Sequence, residues 1–227
     1  MFDSFMNLMQ KSNAVMWPIL ACSIVSLFII VERLLHYHRC HINLKDFIQG
    51  IFNNLKNSNV KETISICDDA PGPVPAIIRS AILRGGQSRN DIESAIEEAS
   101  LAEIPRLEKN LNLLATIAHI APLLGLLGTV LGMMSAFHTI EQEGTFVSMQ
   151  QSNLAMHIKT SLITTAAGLS VAIPSYAFYN LLVTKVEGFV NEMETAASEI
   201  IYFLTHNNID FSKVDAEISG KVNDNEV

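Results

Sequence analysis

Residues 111–140 read LNLLATIAHIAPLLGLLGTVLGMMSAFHTI, thirty positions with no Asp, Glu, Lys or Arg. As a helix this run extends roughly 45 Å at about 1.5 Å per residue. The hydrocarbon core of a bilayer is only about 30 Å thick. A charge-free run of that length is expected in lipid. Gly125, Gly128, Thr129, Gly132 and Ala136 recur on one side of it, which predicts close packing against other protein.

Two more uncharged runs flank it in sequence, residues 14–31 and residues 160–184. Hydrophobic residues make up 49% of the chain and charged ones only 17%, with a mean hydropathy of +0.28. In lipid the backbone must satisfy its own hydrogen bonds, so all three runs are read as helices. The fold class expected is an all-α membrane protein with three transmembrane helices and long cytoplasmic helical extensions. The spans are placed at 14–36, 111–140 and 159–185, joined by a helical region at 37–110 and a loop at 141–158. A helical extension follows at 186–211, and a polar, disordered tail at 212–227.

Ten of the fifteen Lys and Arg residues lie between positions 32 and 110. The positive-inside rule puts that region in the cytoplasm, with residues 1–13 and the 141–158 loop outside and the C-terminus inside. Lys159 fits poorly and is expected to snorkel outward. The net charge of −8 argues against nucleic-acid binding. Ile19-Leu20-Ala21-Cys22 loosely resembles a lipoprotein cleavage site. However, the apolar run continues through Val31 and the basic residues follow it, so an uncleaved anchor is expected. Cys22, Cys40 and Cys67 are an odd set on the membrane and cytoplasmic side, where disulfides are not expected. His36, His38, Cys40 and His41 form a metal-like cluster, but polar residues stopping the first span are the simpler reading. No metal is expected.

Within 37–110, helices are predicted over 42–67, with a break at 57–59, and over 75–84. Ser88-x-x-Asp91 is a capping-box-like start for the next helix. That helix is predicted to bend at Pro105 and run on into the second span. In the third span Ser161, Thr165, Gly168, Ala172 and Ser175 form a stripe at spacings of 4, 3, 4 and 3, flanked by Thr160 and Thr164. Pro174 is tolerable there because neighbouring groups can take up the freed carbonyl. Such a stripe either packs helices together or lines a narrow wet path, and the residues alone leave both open. His119 and His138 are titratable, and an interhelical hydrogen bond is the plainer role for each. None of the three runs carries a carboxylate, the usual mark of a proton relay. If ions move, an acid must come from a partner.

Residues 114–137, with Asn112 and Leu113 before them, resemble the second membrane helix of the MotA/TolQ/ExbB proton-channel family. Residues 161–180 resemble its third helix. Val31-Glu32-Arg33-Leu34-Leu35 and Leu83-Arg84-Gly85-Gly86 are also typical, and three spans suit the ExbB/TolQ-like branch. The resemblance implies a bacterial inner-membrane subunit forming a homopentamer around a single-span ExbD/TolR-like protein. That partner's membrane Asp takes and releases the proton. Work then passes to a TonB/TolA-like periplasm-spanning protein and energises processes such as TonB-dependent uptake. Membrane lipid surrounds the assembly, and no cofactor is needed beyond the ion-motive force. Carried over residue by residue, Thr129 and Thr165 face the pore, and Thr160, Thr164 and Ser161 supply the other hydroxyls of the candidate ion pathway. Gly125, Gly128, Gly132, Gly168, Ala172 and Pro174 form the packing set.

The sequence departs from the family at one position. ExbB and TolQ proteins commonly carry a glutamate five residues before the second threonine, where this chain has Thr160. Hydroxyl-rich linings can also coordinate sodium through oxygen, so Na+ stands beside the proton. A non-conducting scaffold is the reading from a different class. No nucleophile elbow, phosphate loop or paired acids point to an enzyme.

Overall fold

The computed structural model describes residues 15–40, 42–57, 59–143 and 149–207. The expected outer N-terminus, the disordered tail, His41 and the middle of the 141–158 loop lie outside the described residues. Seven helices follow in order: α1 (Met16–Cys40), α2 (Leu44–Lys56), α3 (Val60–Asp69), α4 (Pro73–Leu83), α5 (Arg89–Glu108), α6 (Leu111–Glu143) and α7 (Met149–His206). The described residues contain no strand.

Three stretches are long and apolar enough to cross a membrane: Met16–Cys40, Arg89–His138 and Ala155–His206. Their most apolar windows reach mean hydropathies of 2.1, 1.9 and 1.4, yet only 28%, 33% and 22% of those windows is buried within the chain. Trp17, Ile24, Leu27 and Phe28 on α1 stand exposed. So much bare apolar helix is not compatible with water. The chain is an all-α, multi-pass membrane protein.

The chain divides into two compact units. The first takes α1 up to Arg33, then residues 110–182, which hold α6 and the first part of α7. Here α1 is tied to α7 by a buried hydrogen bond between the Ser26 and Ser175 hydroxyls, 2.6 Å apart. At its end Glu32 accepts from Asn110 Nδ2 at 3.0 Å and pairs with the buried Arg33.

The second unit takes residues 34–109 and the rest of α7. Ile51 and Leu55 of α2, Ile77, Ile78 and Ile82 of α4, Ile92 of α5 and Ile200 of α7 are almost fully buried. Each such side chain contributes about 1.5–3 kcal/mol. Phe52 stacks on Phe203 at 4.2 Å, and Tyr37 donates to the Leu107 carbonyl at 2.7 Å while meeting Phe189 edge-on. Gly72, just before α4, has φ +108°, and a Cβ there would stand 2.8 Å from the Cys40 carbonyl oxygen. Pro73 then opens α4, where a missing N–H costs nothing. The capping box is present: Ser88 Oγ accepts from Asp91 N at 3.3 Å, and Asp91 Oδ2 accepts from Ser88 N at 3.2 Å.

One expectation is corrected. The helix opened by Ser88 does not run on into the apolar helix. Pro105 is carried inside α5, which ends at Glu108. The break comes at Asn110, whose φ of +65° is left-handed. Asn tolerates that conformation better than most residues, and its side chain is held by Glu32 while its carbonyl accepts from Leu114 N at 3.1 Å.

Asn110→Ala is expected to destabilise the first unit by about 1 kcal/mol, because Ala tolerates the left-handed backbone less well than Asn, plus the lost Glu32 bond. Asn110→Gly recovers the backbone part. Equal stability of the two variants on unfolding in detergent would refute the strain.

Burial pushes the Cys67 thiol up to about 12, with Asp68 adding and Arg79 opposing. The thiol ordinarily ionises near 9. Between those values the unfolded chain therefore releases a proton that the folded chain keeps, and stability falls as pH rises. Cys67→Ala is expected to flatten that part of the pH–stability curve. An unchanged slope between about pH 9 and pH 12 would rule the thiol out as its source.

Candidate functional site

The packing of α6 on α7 is a close approach of two backbones. A Cβ at Gly168 would stand 2.6 Å from the Ala121 carbonyl oxygen and 3.1 Å from Gly125 Cα. A Cβ at Gly125 would stand 3.0 Å from Thr165 Cα. One turn on, a Cβ at Gly128 would run into the Thr164 side chain, and one at Gly132 into Ser161 Oγ. The glycines are notches, and the hydroxyl-bearing side chains of α7 fill them.

The hydroxyls divide into two groups. Ser161 is 3% exposed and Thr164 0%. They donate along their own helix, Ser161 Oγ to the His157 carbonyl at 2.8 Å and Thr164 Oγ1 to the Ser161 carbonyl at 2.7 Å. Thr165 sits at the edge of the seam, half-buried, and donates across it to the Gly125 carbonyl at 3.1 Å. Thr129 is half-buried on α6 and donates to the Leu126 carbonyl at 2.6 Å. Thr160 is also half-buried. The sequence stripe set Thr164 as a flank, but the buried line on α7 is Ser161, Thr164, Gly168, Ala172 and Ser175. A helix face is wide enough for both Thr164 and Thr165, and the position of Gly128 decides which is covered. Ala136 is buried and Pro174 is carried, exposed, inside α7.

Sequence reasoning passed over Ser26, whose hydrogen bond to Ser175 fastens α1 beside the stripe. A serine in an apolar run, three residues after Ser23, was its only trace. His36 and Cys40 share a face, with Nε2 3.8 Å from Sγ. Among the described residues no group of three metal-ligating side chains forms. His119 does not bond across helices as expected: its Nδ1 lies 2.7 Å from the Ala115 carbonyl of its own helix.

Lys159 stands exposed on a shallow apolar groove of roughly 600 Å³, lined by Ala155, Ile158, Leu162, Ile163 and Ala166. Elsewhere α6 exposes Leu123, Leu126, Met134 and Phe137, and α7 exposes Leu162 and Ile173. Between Asn110 and Leu182 the described carboxylates lie only at the far end of α6. The seam therefore offers an ion hydroxyl and carbonyl oxygens but no acid.

A model of the MotA/TolQ/ExbB proton channel family matches residues 70–195. The chain is 25% identical over 195 residues to a putative biopolymer transport protein ExbB homolog of Methanothermobacter thermautotrophicus, covering 85% of this chain and 68% of that protein. It is 27% identical over 183 residues to biopolymer transport protein exbB1 of Vibrio cholerae, 79% of each. It is 32% identical over 128 residues to the Tol-Pal system protein TolQ of Pseudomonas aeruginosa, covering 55% of this chain and 50% of that one.

Gly168→Ala is expected to cost about 1–3 kcal/mol, since backbone on α6 cannot move aside as a side chain would. Gly132→Ala runs into the Ser161 hydroxymethyl and meets the His157 carbonyl oxygen at an ordinary 3.5 Å, and is expected to cost less. Unfolding of both variants in detergent tests the order, and the reverse order would show that the backbones are not in contact at Gly168.

Proposed function

Because the chain belongs to the MotA/TolQ/ExbB proton channel family, we propose that it is the ring-forming inner-membrane subunit of an ion-driven motor. As a channel-type, transport-energising membrane subunit it is not an enzyme. In this reading five copies surround a single-span ExbD/TolR-like partner, with the N-terminus periplasmic and the C-terminus cytoplasmic. The crowding of Lys and Arg between positions 32 and 110 supports that orientation.

The observation that carries the reading is the α6–α7 seam, with hydroxyls and no carboxylate. Thr129 and Thr165 stand at its edge, where each hydroxyl can turn from a backbone carbonyl to a passing water or ion. Thr160 lies one turn from Thr164 and completes the hydroxyl set. Ser161 and Thr164 border the path from behind and hold its wall. The partner's membrane Asp supplies the titrating group, so the ring guides the ion and the partner binds it. The membrane potential provides about 2.3 kcal/mol per charge per 100 mV. That is several times thermal energy, enough to bias a movement of the partner that a TonB- or TolA-like protein transmits.

The proton is the ion favoured by the family. Thr160 in place of the family's glutamate leaves sodium as the competing ion, since the lining then consists of neutral oxygen. The non-conducting scaffold is supported by one observation: Ser161 and Thr164 already spend their hydroxyls inside their own helix.

Co-reconstituted with the partner in liposomes, the chain is expected to pass protons only when the partner retains its Asp. Thr165→Val and Thr129→Val should lower that flux about tenfold or more while the assembly stays intact, because Val keeps the volume and loses the oxygen. Flux that follows sodium instead would reassign the ion. A well-formed complex passing neither ion would favour the scaffold.

A further inference from the structure

We propose that His119 is a second proton-binding station, set about three helical turns from Thr165 and backed by Tyr176. The inference rests on the channel reading above and adds a residue of this chain to the path.

His119 lies in the apolar run of α6 with its side chain exposed. Its Nδ1 is 2.7 Å from the Ala115 carbonyl oxygen. A carbonyl only accepts, so Nδ1 carries the hydrogen. The neutral ring then has its lone pair at Nε2, and that is the one ring position left to take a proton. After uptake the Nδ1 hydrogen bond persists, so the imidazolium keeps one partner already in place. Tyr176 of α7 meets the ring nearly perpendicular, at 88° and 6.1 Å between centroids. The contact holds the imidazole against α7.

The location places the ring on the path. Tyr176 is eleven residues beyond Thr165. Eleven residues make three turns, so the two share one face of α7 roughly 16 Å apart. Thr165 stands at the edge of the seam, and Tyr176 is 50% exposed on the same face. The run of threonines and the histidine thus mark two depths of one wall.

The electrostatic surroundings are sparse. On α7 the ionisable side chains of this unit are His157 and Lys159 near the other end of the pair, Tyr176 in contact, and Tyr179 three residues further on. On α1 they are Cys22, Glu32 and Arg33, the last two paired with each other. On α6 they are His138, Glu141 and Glu143, more than four turns away. Among the described residues, Tyr176 is in ring contact with His119. The step is a proton transfer alone: Nε2 takes a proton from hydronium on one side, leaving water, and gives it to water on the other, reforming hydronium.

Two measurements test the station. The first is nitrogen NMR of the full chain with its partner in lipid nanodiscs. In its neutral form His119 should show a protonated Nδ1 and a bare Nε2, and acidification should protonate Nε2. An Nε2–H neutral form, or a ring that stays neutral on acidification, overturns the proposal. The second is proton flux in His119→Gln, whose amide can still donate to Ala115. A fall of about tenfold or more is expected. Unchanged flux in His119→Gln overturns the station while leaving the channel standing. Absent flux in the wild-type complex overturns the channel, and the NMR titration then still decides whether His119 binds a proton.

Discussion

The close approach of α6 and α7 is the constraint on which the membrane unit depends. Lipid tails are as apolar as leucine, so helices in a bilayer gain little from burying more leucine against each other. They gain from contact area, and that requires missing side chains. Gly125, Gly128, Gly132 and Gly168 remove them where the two backbones cross. The hydroxyl groups of α7 then satisfy themselves on nearby carbonyls, because an unpaired polar group in this surrounding costs several kcal/mol. One geometric requirement thus dictates the glycines on both helices and the small hydroxylated residues on α7.

The same seam explains what the sequence could tell and where it stopped. Lengths of uncharged residues announce membrane helices because lipid forbids most alternatives. The Ser88–Asp91 cap was legible because it is local, with both partners within one turn. The end of α5 was not. Pro105 looked like the weak point, yet a proline late in a helix forfeits one bond, while Asn110 adopts a left-handed backbone that its neighbours in sequence do not announce. What holds it is Glu32, far away along the chain. Ser26 was hidden for the same reason, since its partner Ser175 is remote. Thr164 and Thr165 are adjacent in sequence, and only the position of Gly128 on the facing helix tells which one is buried.

The division of hydroxyls bears on how the chain handles an ion. A hydroxyl held at 0% exposure inside a glycine notch is part of a wall. A hydroxyl at the seam's edge, bonded to a backbone carbonyl, is different: its hydrogen is committed, but its oxygen still has lone pairs for water or a cation. Thr129 and Thr165 are of this second kind. Neither can change its charge. Oxygen of fixed neutrality guides and partly dehydrates an ion without storing it. A machine that couples ion flow to movement needs a group whose charge switches, so that binding can alter which conformation is favoured.

In the motor we propose, that switch sits on another chain, and its placement there has a mechanical consequence. A carboxylate fixed in the ring would move the ion relative to the ring alone. A carboxylate carried by a single-span partner is pulled toward the wet hydroxyl edge when charged and released toward the apolar faces when protonated. The apolar surface left open on α6 and α7, with Leu126, Phe137, Leu162 and Ile173 exposed, is the kind against which a neutral acid is tolerated and a charged one is not. In the proposed ring, alternation of these two surfaces would couple each change of protonation to a movement of the partner.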